Sequence, residues 1–183
     1  MLNALTATAD RPWAAEAGPA SCQYLRFTLA DGSYAVPIDE VREILELAPV
    51  TPLPQMPPFV RGVMNLRGAV VPVIDLAARY GLAPAQIGRR SCIVVVDVSS
   101  TDHDRPGSQV LGLLVDAVHE VLDIDTADLD AAPALGTQIP PEFIAGITRL
   151  RGAMLVTLHL GHSLDNEVLA RMIDGDVAHH QDR

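Results

Sequence analysis

Short apolar runs rich in β-branched residues recur along this chain and are separated by polar turn segments. Gln23–Leu29 and Tyr34–Ile38 flank Ala30–Ser33, a segment whose Asp and Gly favour a hairpin turn. Further downstream, Ser91–Val98 and Val110–Val115 flank a second, exposed polar turn. About ten short runs of this kind, with little amphipathic helix, indicate a mainly β protein built as barrels or a sandwich.

One part of this pattern occurs twice. Asn65–Leu76 (NLRGAVVPVIDL) returns 84 residues later as Arg149–Leu160 (RLRGAMLVTLHL). Upstream of these segments, Tyr34–Leu45 parallels Leu111–Leu122 at an offset of 77 residues. Because both matches occur in the same order, the sequence predicts an internal duplication that gives two similar modules.

Two short helices and a stiff connector are predicted in the first half. Asp39–Leu45 has helical spacing of its apolar residues, and Asp75 is a favourable N-cap for a helix over Leu76–Tyr80 that Gly81 ends. Ala48–Pro58 holds five prolines and is predicted to be an extended connector, because proline cannot occupy a central strand. Its P-x-x-P spacings also match ligands of proline-recognition domains, but the strand signals on both sides favour the connector.

The two ends of the chain differ in composition from its middle. Residues 1–20 are Ala-rich with several helix breakers and predict a flexible N-terminal tail. The folded domain is expected over residues 21–174, with a C-terminal tail over residues 175–183. Ser163 or Asp165 is predicted to cap a final helix that Gly175 ends. The apolar stripe of that helix consists of Leu164, Val168, Leu169 and Met172.

Composition limits the possible functions. The chain has 183 residues, enough for one domain or two small intertwined ones, and a formal net charge of −10 with arginine as its only cationic residue besides histidine. An acidic surface repels phosphate backbones, so no nucleic-acid partner is expected. No apolar run is long enough to suggest a membrane span, and the N-terminus does not resemble a signal peptide. Cys22 and Cys92 lie in apolar runs and are predicted to be buried free thiols of a cytosolic protein.

No catalytic motif is present, so we expect neither an enzyme nor a cofactor. His159 and His162 form the one spacing typical of a metal ligand pair. A metal site needs three or four convergent ligands, His159 ends a predicted strand, and a glycine interrupts the pair, so no metal is expected there.

The NLRG turn carries the strongest functional signal. Gly68 supplies a backbone position with positive φ, and Asn65 tolerates left-handed geometry as well. Such a turn projects Arg67 outward beside Leu66. An exposed Arg can be a solubilising charge, but its planar fork of donors also suits a carboxylate or a carbonyl on a partner. Because arginines cluster at both copies of this turn on an acidic chain, we favour a partner-binding role.

These segments resemble one known family. FVRGVMNLRGAVVPVIDL (Phe59–Leu76) resembles the signature of the CheW family of chemotaxis adaptors. YAVPIDEVREIL and LGLLVDAVHEVLDI are similar to the segments that precede the two hairpins in that family, and PPEFIAGITRLRGAMLVTLHL is similar to the closing hairpin. The resemblance extends from about Ser21 to Ile173.

The resemblance implies a fold and a function. The fold is mainly β: two SH3-like five-stranded β-barrels packed side by side, with short connecting helices and a C-terminal helix. The first barrel is expected mainly over residues 35–90 and the second mainly over residues 91–160. The function is that of a cytoplasmic scaffold, recruited to membrane receptor arrays, that couples methyl-accepting chemotaxis receptors to a CheA-type histidine kinase. The resemblance also implies that the tip of the receptor's helical hairpin lies between the barrels and that the kinase regulatory domain meets their outer faces.

The resemblance and the exposed turn together select the candidate partner-binding residues. These are Val41, Glu43, Gly62, Asn65, Leu66, Arg67 and Gly68. Two alternatives remain open: an equivalent adaptor of a pilus-motility or second-messenger pathway, and a small-molecule or metal sensor that uses the groove between the barrels.

Overall fold

The computed structural model describes residues 21–99, 107–133 and 136–164. Within these ranges the chain forms ten strands and two short α-helices. The strands are β1 Ser21–Leu29, β2 Gly32–Pro37, β3 Val41–Glu46, β4 Val60–Leu66, β5 Ala69–Asp75, β6 Cys92–Ser99, β7 Ser108–Val115, β8 Ala117–Asp125, β9 Ile144–Leu150 and β10 Ala153–Leu158. The helices are α1 Leu76–Arg79 and α2 Leu160–Leu164, and short 3₁₀ turns lie at Ile38–Glu40, Thr126–Asp128 and Pro141–Phe143.

The strands form two five-stranded sheets with the same internal order. One sheet runs β3-β6-β7-β5-β4 and the other β8-β1-β2-β10-β9. In each sheet the segment that follows one edge strand forms a β-bridge with the other edge strand, Thr51 with Val63 and Asp130 with Ile147. This pairing curls each sheet towards closure, which hides the strand edges that an open sheet exposes. We call the sheet with β3–β7 the first barrel and the other the second barrel; the predicted mainly β fold is confirmed.

The duplication is arranged as an exchange of strands. β1–β5 and β6–β10 are the two repeats, yet β1 and β2 pair within the second barrel and β6 and β7 within the first. Each barrel contains one parallel pairing between strands of different repeats, β5 with β7 in the first barrel and β2 with β10 in the second. The barrels therefore divide the chain at positions different from the predicted ranges of 35–90 and 91–160. Residues 41–115 make the first barrel, because a sequence repeat shows the order of strands but not the sheet that each strand joins.

Two predicted helix positions are corrected. Asp39–Leu45 is not a helix: a single 3₁₀ turn over Ile38–Glu40 leads directly into β3, which pairs with β6 in antiparallel register. A periodicity read over so few residues does not separate helix from strand, and pairing with the buried β6 decides the outcome. The last helix begins at Leu160, before the predicted caps Ser163 and Asp165, and residues 165–183 lie outside the described residues, as do residues 1–20.

The first predicted helix cap is confirmed. The Asp75 carboxylate accepts a hydrogen bond from the Ala78 N–H at 3.1 Å, and α1 covers Leu76–Arg79. Gly81 has a φ of +77° directly after the helix, as expected for a C-terminal glycine. The Asp75 side chain also accepts hydrogen bonds from Arg61 and from the Ala85 N–H, so one buried carboxylate holds three chain segments together.

A continuous hydrophobic core lies between the two barrels. Its largest cluster takes fully buried residues from both sheets, among them Phe27 and Leu158 of the second barrel and Ile74 and Leu113 of the first. The Arg79 guanidinium adds a polar link: it lies over the rings of Phe59 at 5.2 Å and Phe143 at 5.0 Å, and its Nε donates to the Ser163 carbonyl at 2.8 Å. The barrels therefore form one packed unit.

The cysteines are free but differ from the prediction in burial. Cys22 is exposed and Cys92 is partly buried, although both lie in strands. Cys22 lies at the beginning of β1, where this strand pairs with β8 and not yet with β2, so the apolar residues that follow it do not place it in the core.

Candidate partner-binding site

The predicted NLRG turn lies at the tip of the hairpin formed by β4 and β5. Arg67 and Gly68 have φ values of +53° and +86°, the geometry of a type I′ turn, which matches the twist of the flanking strands. Asn65 belongs to β4 and does not occupy a left-handed position; its side-chain oxygen instead accepts a hydrogen bond from the Gly68 N–H at 2.9 Å. The left-handed residue is Arg67. We call Asn65–Gly68 the first tip.

Arg67 and Glu43, two of the predicted site residues, are brought together by the fold. Nη1 and Nη2 of Arg67 donate to the two carboxylate oxygens of Glu43 at 3.0 and 2.9 Å. Glu43 lies on β3, which is far from the hairpin in sequence but approaches it where the barrel curls. The Arg67 side chain remains 77% exposed in spite of this pairing. The sequence indicated an exposed Arg at this turn but not that a carboxylate of the same chain holds it.

Val41 and Gly62 lie deeper than a partner-contact role suggests. Gly62 is buried with a φ of +139°, and a Cβ atom there would lie 2.0 Å from the Thr51 carbonyl oxygen. Only glycine therefore allows the Thr51–Val63 bridge to form. Val41 is half-buried and packs against the shared core, and Leu66 is half-buried against a second cluster inside the first barrel.

Exposed apolar side chains lie on the strands that carry the first tip and Glu43. Val70 of β5 is opposite Asn65 in the sheet register, and Ile44 follows Glu43 on β3. Both side chains are about half exposed, at 50% and 45%. An exposed apolar side chain such as Val70 at the base of a charged turn is a typical feature of a protein-binding surface.

The second barrel repeats this arrangement at Arg149–Gly152, which we call the second tip. Arg151 and Gly152 have φ values of +50° and +83°, nearly those of the first tip. Met154 and Val121 occupy the places of Val70 and Ile44 and are 55% and 46% exposed. The offsets of 84 and 77 residues seen in the sequence relate all these positions.

The ion pair at the second tip differs. Glu120 takes the place of Glu43, but its Oε1 lies 4.0 Å from Nη2 of Arg151 and accepts no hydrogen bond. Its other oxygen accepts a hydrogen bond at 2.9 Å from Arg26, which occupies the position of the fully buried Val95 in the first barrel. The hydrogen bond from Arg26 is the main cause that lowers the pKa of Glu120.

A neighbouring pair of interacting side chains also differs between the two barrels. In the first barrel the Arg42 guanidinium donates to the Asp97 carboxylate at 2.7 Å, whereas in the second barrel a ring nitrogen of His119 lies 2.7 Å from the Thr28 hydroxyl oxygen. Partial burial, with smaller contributions from Arg26 and Arg90, lowers the pKa of His119 below its usual value of 6.5. At neutral pH the second barrel therefore lacks one carboxylate and one cation that the first barrel has.

Comparison with known proteins identifies the fold family. A model of the CheW-like domain matches residues 23–168. The chain belongs to the CheW family. It is 34% identical to the chemotaxis protein CheW of Rhizobium meliloti over 145 residues, which is 79% of this chain and 88% of the relative. It is also 34% identical to the protein FrzA of Myxococcus xanthus over 143 residues, 78% and 83% of the two chains.

A solved member of the CheW family has the same architecture. The crystal structure of the scaffolding protein TtCheW from Thermoanaerobacter tengcongensis aligns with a TM-score of 0.71 at 31% identity. The alignment covers 84% of this chain and 94% of TtCheW. The predicted family is thus confirmed, and so is its pair of SH3-like β domains.

Two further features bear on the sequence-based alternatives. In the described ranges, no three His, Cys, Asp or Glu side chains are grouped closely enough to hold a metal ion. No helix within those ranges has the length and apolar character needed to cross a membrane.

Proposed function

We propose that this chain is a non-enzymatic chemotaxis scaffold that couples methyl-accepting receptors to a CheA-type histidine kinase. Membership of the CheW family and the likeness to a scaffolding protein support this role. The observation that carries it is the pair of exposed hairpin tips, one on each barrel, fixed relative to each other by a shared core. A rigid molecule with two separate contact surfaces can hold two partners at a defined distance.

We propose that one of these contact surfaces consists of the first tip together with Glu43. The residues that would touch the partner directly are Glu43, Asn65, Leu66, Arg67 and Gly68. Val41 and Gly62 act beneath it, since one supports β3 from the core and the other permits the bridge that closes the barrel. We propose the regulatory domain of the kinase as the partner of an outer barrel face, and the signalling tip of the receptor as the occupant of the groove between the barrels. In this role the protein acts on the cytoplasmic side of receptor arrays.

The proposal is tested by reconstitution. Membranes carrying receptor signalling domains are mixed with the kinase, with and without the full chain, and sedimented. We expect the kinase to sediment with the membranes and to be activated only when the chain is present. Sedimentation and activation that do not depend on the chain would contradict the proposal.

Arg67→Glu sharpens this test. Replacing one side of a charge pair at an interface costs about 2–5 kcal/mol of binding. We therefore expect Arg67→Glu to weaken kinase or receptor binding at least about tenfold, which is about 1.4 kcal/mol. The melting temperature should change little, because an exposed ion pair contributes only about 0–1 kcal/mol to folding. Arg89→Glu is the matched control, since Arg89 is exposed and lies on the connector between the repeats.

One relative supports a related alternative. Because the chain is 34% identical to FrzA as well as to the chemotaxis protein of Rhizobium meliloti, we also propose an equivalent adaptor of another chemosensory pathway, such as one for pilus motility or a second messenger. Identifying the kinase that the full chain captures from its own cells separates the two pathways. No observation on the described residues favours the small-molecule or metal sensor.

A further inference from the structure

The two tips are geometrically equivalent, but their charges are not. On the first tip and the neighbouring strands, the first barrel has two arginines, Arg42 and Arg67, and three carboxylates, those of Glu43, Glu46 and Asp97. Both arginines form ion pairs at 2.7 and 2.9 Å, so their charges are neutralised within the chain. At the surface that the first tip presents to a partner, the positive charges are therefore already paired with carboxylates of the same chain.

The equivalent positions of the second barrel carry more arginines. They hold three, Arg26, Arg149 and Arg151, together with the carboxylates of Glu120 and Asp123, and Asp130 occupies the position of Thr51. Arg149 replaces the uncharged Asn65, and Arg26 replaces the buried Val95. On a chain with a formal net charge of −10, two arginines at one projecting turn are an exception.

Because Glu120 is hydrogen-bonded to Arg26, it does not form a hydrogen bond with Arg151. The carboxylate of Glu120 is held by Arg26 at 2.9 Å and lies 4.0 Å from Arg151, whose side chain is 79% exposed. Among the described residues, Arg149 forms no ion pair, and its place on β9 opposite Met154 puts it at the surface beside an exposed thioether. Two exposed arginines, one without an ion pair and one with only a 4.0 Å contact to Glu120, thus lie at the turn that carries the exposed Met154.

We propose that the second tip is a docking surface for an acidic protein segment that carries an apolar side chain. The carboxylates of the segment would pair with Arg149 and Arg151, and its apolar side chain would pack on Met154. Arginine suits such pairing because its planar fork binds a carboxylate through two parallel hydrogen bonds. The proposal rests on the proposed function only in taking the chain to be an adaptor, and it assigns the two barrels partners of different charge.

Binding of a synthetic probe to the full chain tests this proposal. The probe is a short peptide with one leucine between glutamates, and its counterparts carry glutamine or lysine in place of glutamate. Nuclear magnetic resonance spectra of the isotopically labelled chain report the site. We expect the glutamate peptide alone to shift the Gly152 amide and the Met154 methyl signals, and to leave Gly68 and Val70 unshifted. Binding should weaken strongly at about 0.5 M salt, because screening then acts within a few ångströms.

The repeat supplies matched variants. Arg149→Asn gives the second tip the residue of the first tip, so it should fold normally while weakening peptide binding several-fold. Asn65→Arg makes the reverse change, so the Gly68 amide signal should then shift when the glutamate peptide is added. Equal binding of the glutamine peptide, equal shifts at both tips of the wild-type chain, or no binding at all would overturn the proposal. Variant-sensitive binding to vesicles of anionic lipid, or self-association of the chain through Met154, would assign the surface to another occupant and overturn it as well.

The outcome is separable from that of the proposed function. If the chain couples kinase to receptor but Arg149→Asn and added salt leave every interaction unchanged, the charge assignment fails and the adaptor role stands. If the glutamate peptide binds at Gly152 while the kinase does not associate with the chain, the docking surface stands and the adaptor role fails.

Discussion

The two hairpin tips of this molecule share one backbone and differ in their ion pairs. Arg67 and Arg151 have φ values within a few degrees of each other and nearly equal exposure. Yet Glu43 binds Arg67 through two hydrogen bonds, whereas Glu120 is held by Arg26. Arg26, which occupies the position of Val95, is the residue that holds Glu120 away from the pairing seen at the first tip. A duplicated fold can thus keep its turn geometry and acquire a new surface by changing the residue that neutralises a charge.

The backbone beneath the tips gives the largest contrast. A Cβ at Gly62 would meet the Thr51 carbonyl oxygen at 2.0 Å in a positive-φ conformation, whereas at Gly146 the nearest atom is the Leu129 Cβ at 3.1 Å with no positive φ. We expect Gly62→Ala to destabilise the fold by roughly 3 kcal/mol or more, because backbone strain adds to a clash with backbone. Gly146→Ala should cost about 1 kcal/mol. Urea denaturation measures both, and equal losses would show that the two bridges are equivalent.

The turns themselves should respond alike. Gly68 and Gly152 both have positive φ, and no atom lies within 4 Å of a Cβ at either position. Gly68→Val and Gly152→Val should each cost on the order of 1–3 kcal/mol of folding free energy through backbone strain alone. Gly107→Val is the control, since Gly107 is exposed without positive φ. A thermal denaturation series in which the two tips differ strongly would break the equivalence of the turns.

The ion pairs should differ in coupling energy. A double-mutant cycle of Glu43→Gln and Arg67→Ala should give a coupling of about 0.5–1 kcal/mol, the upper range for exposed pairs. The cycle of Glu120→Gln and Arg151→Ala should give nearly zero. Arg26→Val then sharpens the comparison, since it frees Glu120 and should raise the second coupling towards the first. A large coupling between Glu120 and Arg151 in the presence of Arg26 would show that the 4.0 Å separation closes in solution.

The smallest expected effect concerns pH. Partial burial lowers the pKa of His119, so the unfolded chain binds a proton more readily than the folded one as the pH falls below about 6.5. The neutral ring therefore stabilises the fold above that pH, and this contribution is lost as the pH falls through the lowered pKa. His119→Gln should lose less stability than the wild-type chain between neutral pH and about pH 5. Parallel melting curves for both proteins across this range would contradict the prediction.

The sequence by itself predicted the strands other than β3, the duplication, the family and the exposed turn at Asn65–Gly68. These properties depend on local signals: alternation of apolar residues, the Asp and Gly of turns, the Asp75 cap and the repeated LRG motif. Such signals can be recognised in the sequence because turn and cap geometry involves residues that are close in the chain.

The tertiary structure alone decided how the strands are shared between the barrels and which charges meet. β3 was predicted to be helical because its pairing with β6 is not visible in its own residues. Gly62 was assigned to a partner, but its buried approach to Thr51 depends on a contact between distant loops. Likewise, Arg67 meets Glu43, and Glu120 meets Arg26, only where each barrel curls. Pairing across a sheet depends on the packing of both partners, and one strand's sequence does not contain it.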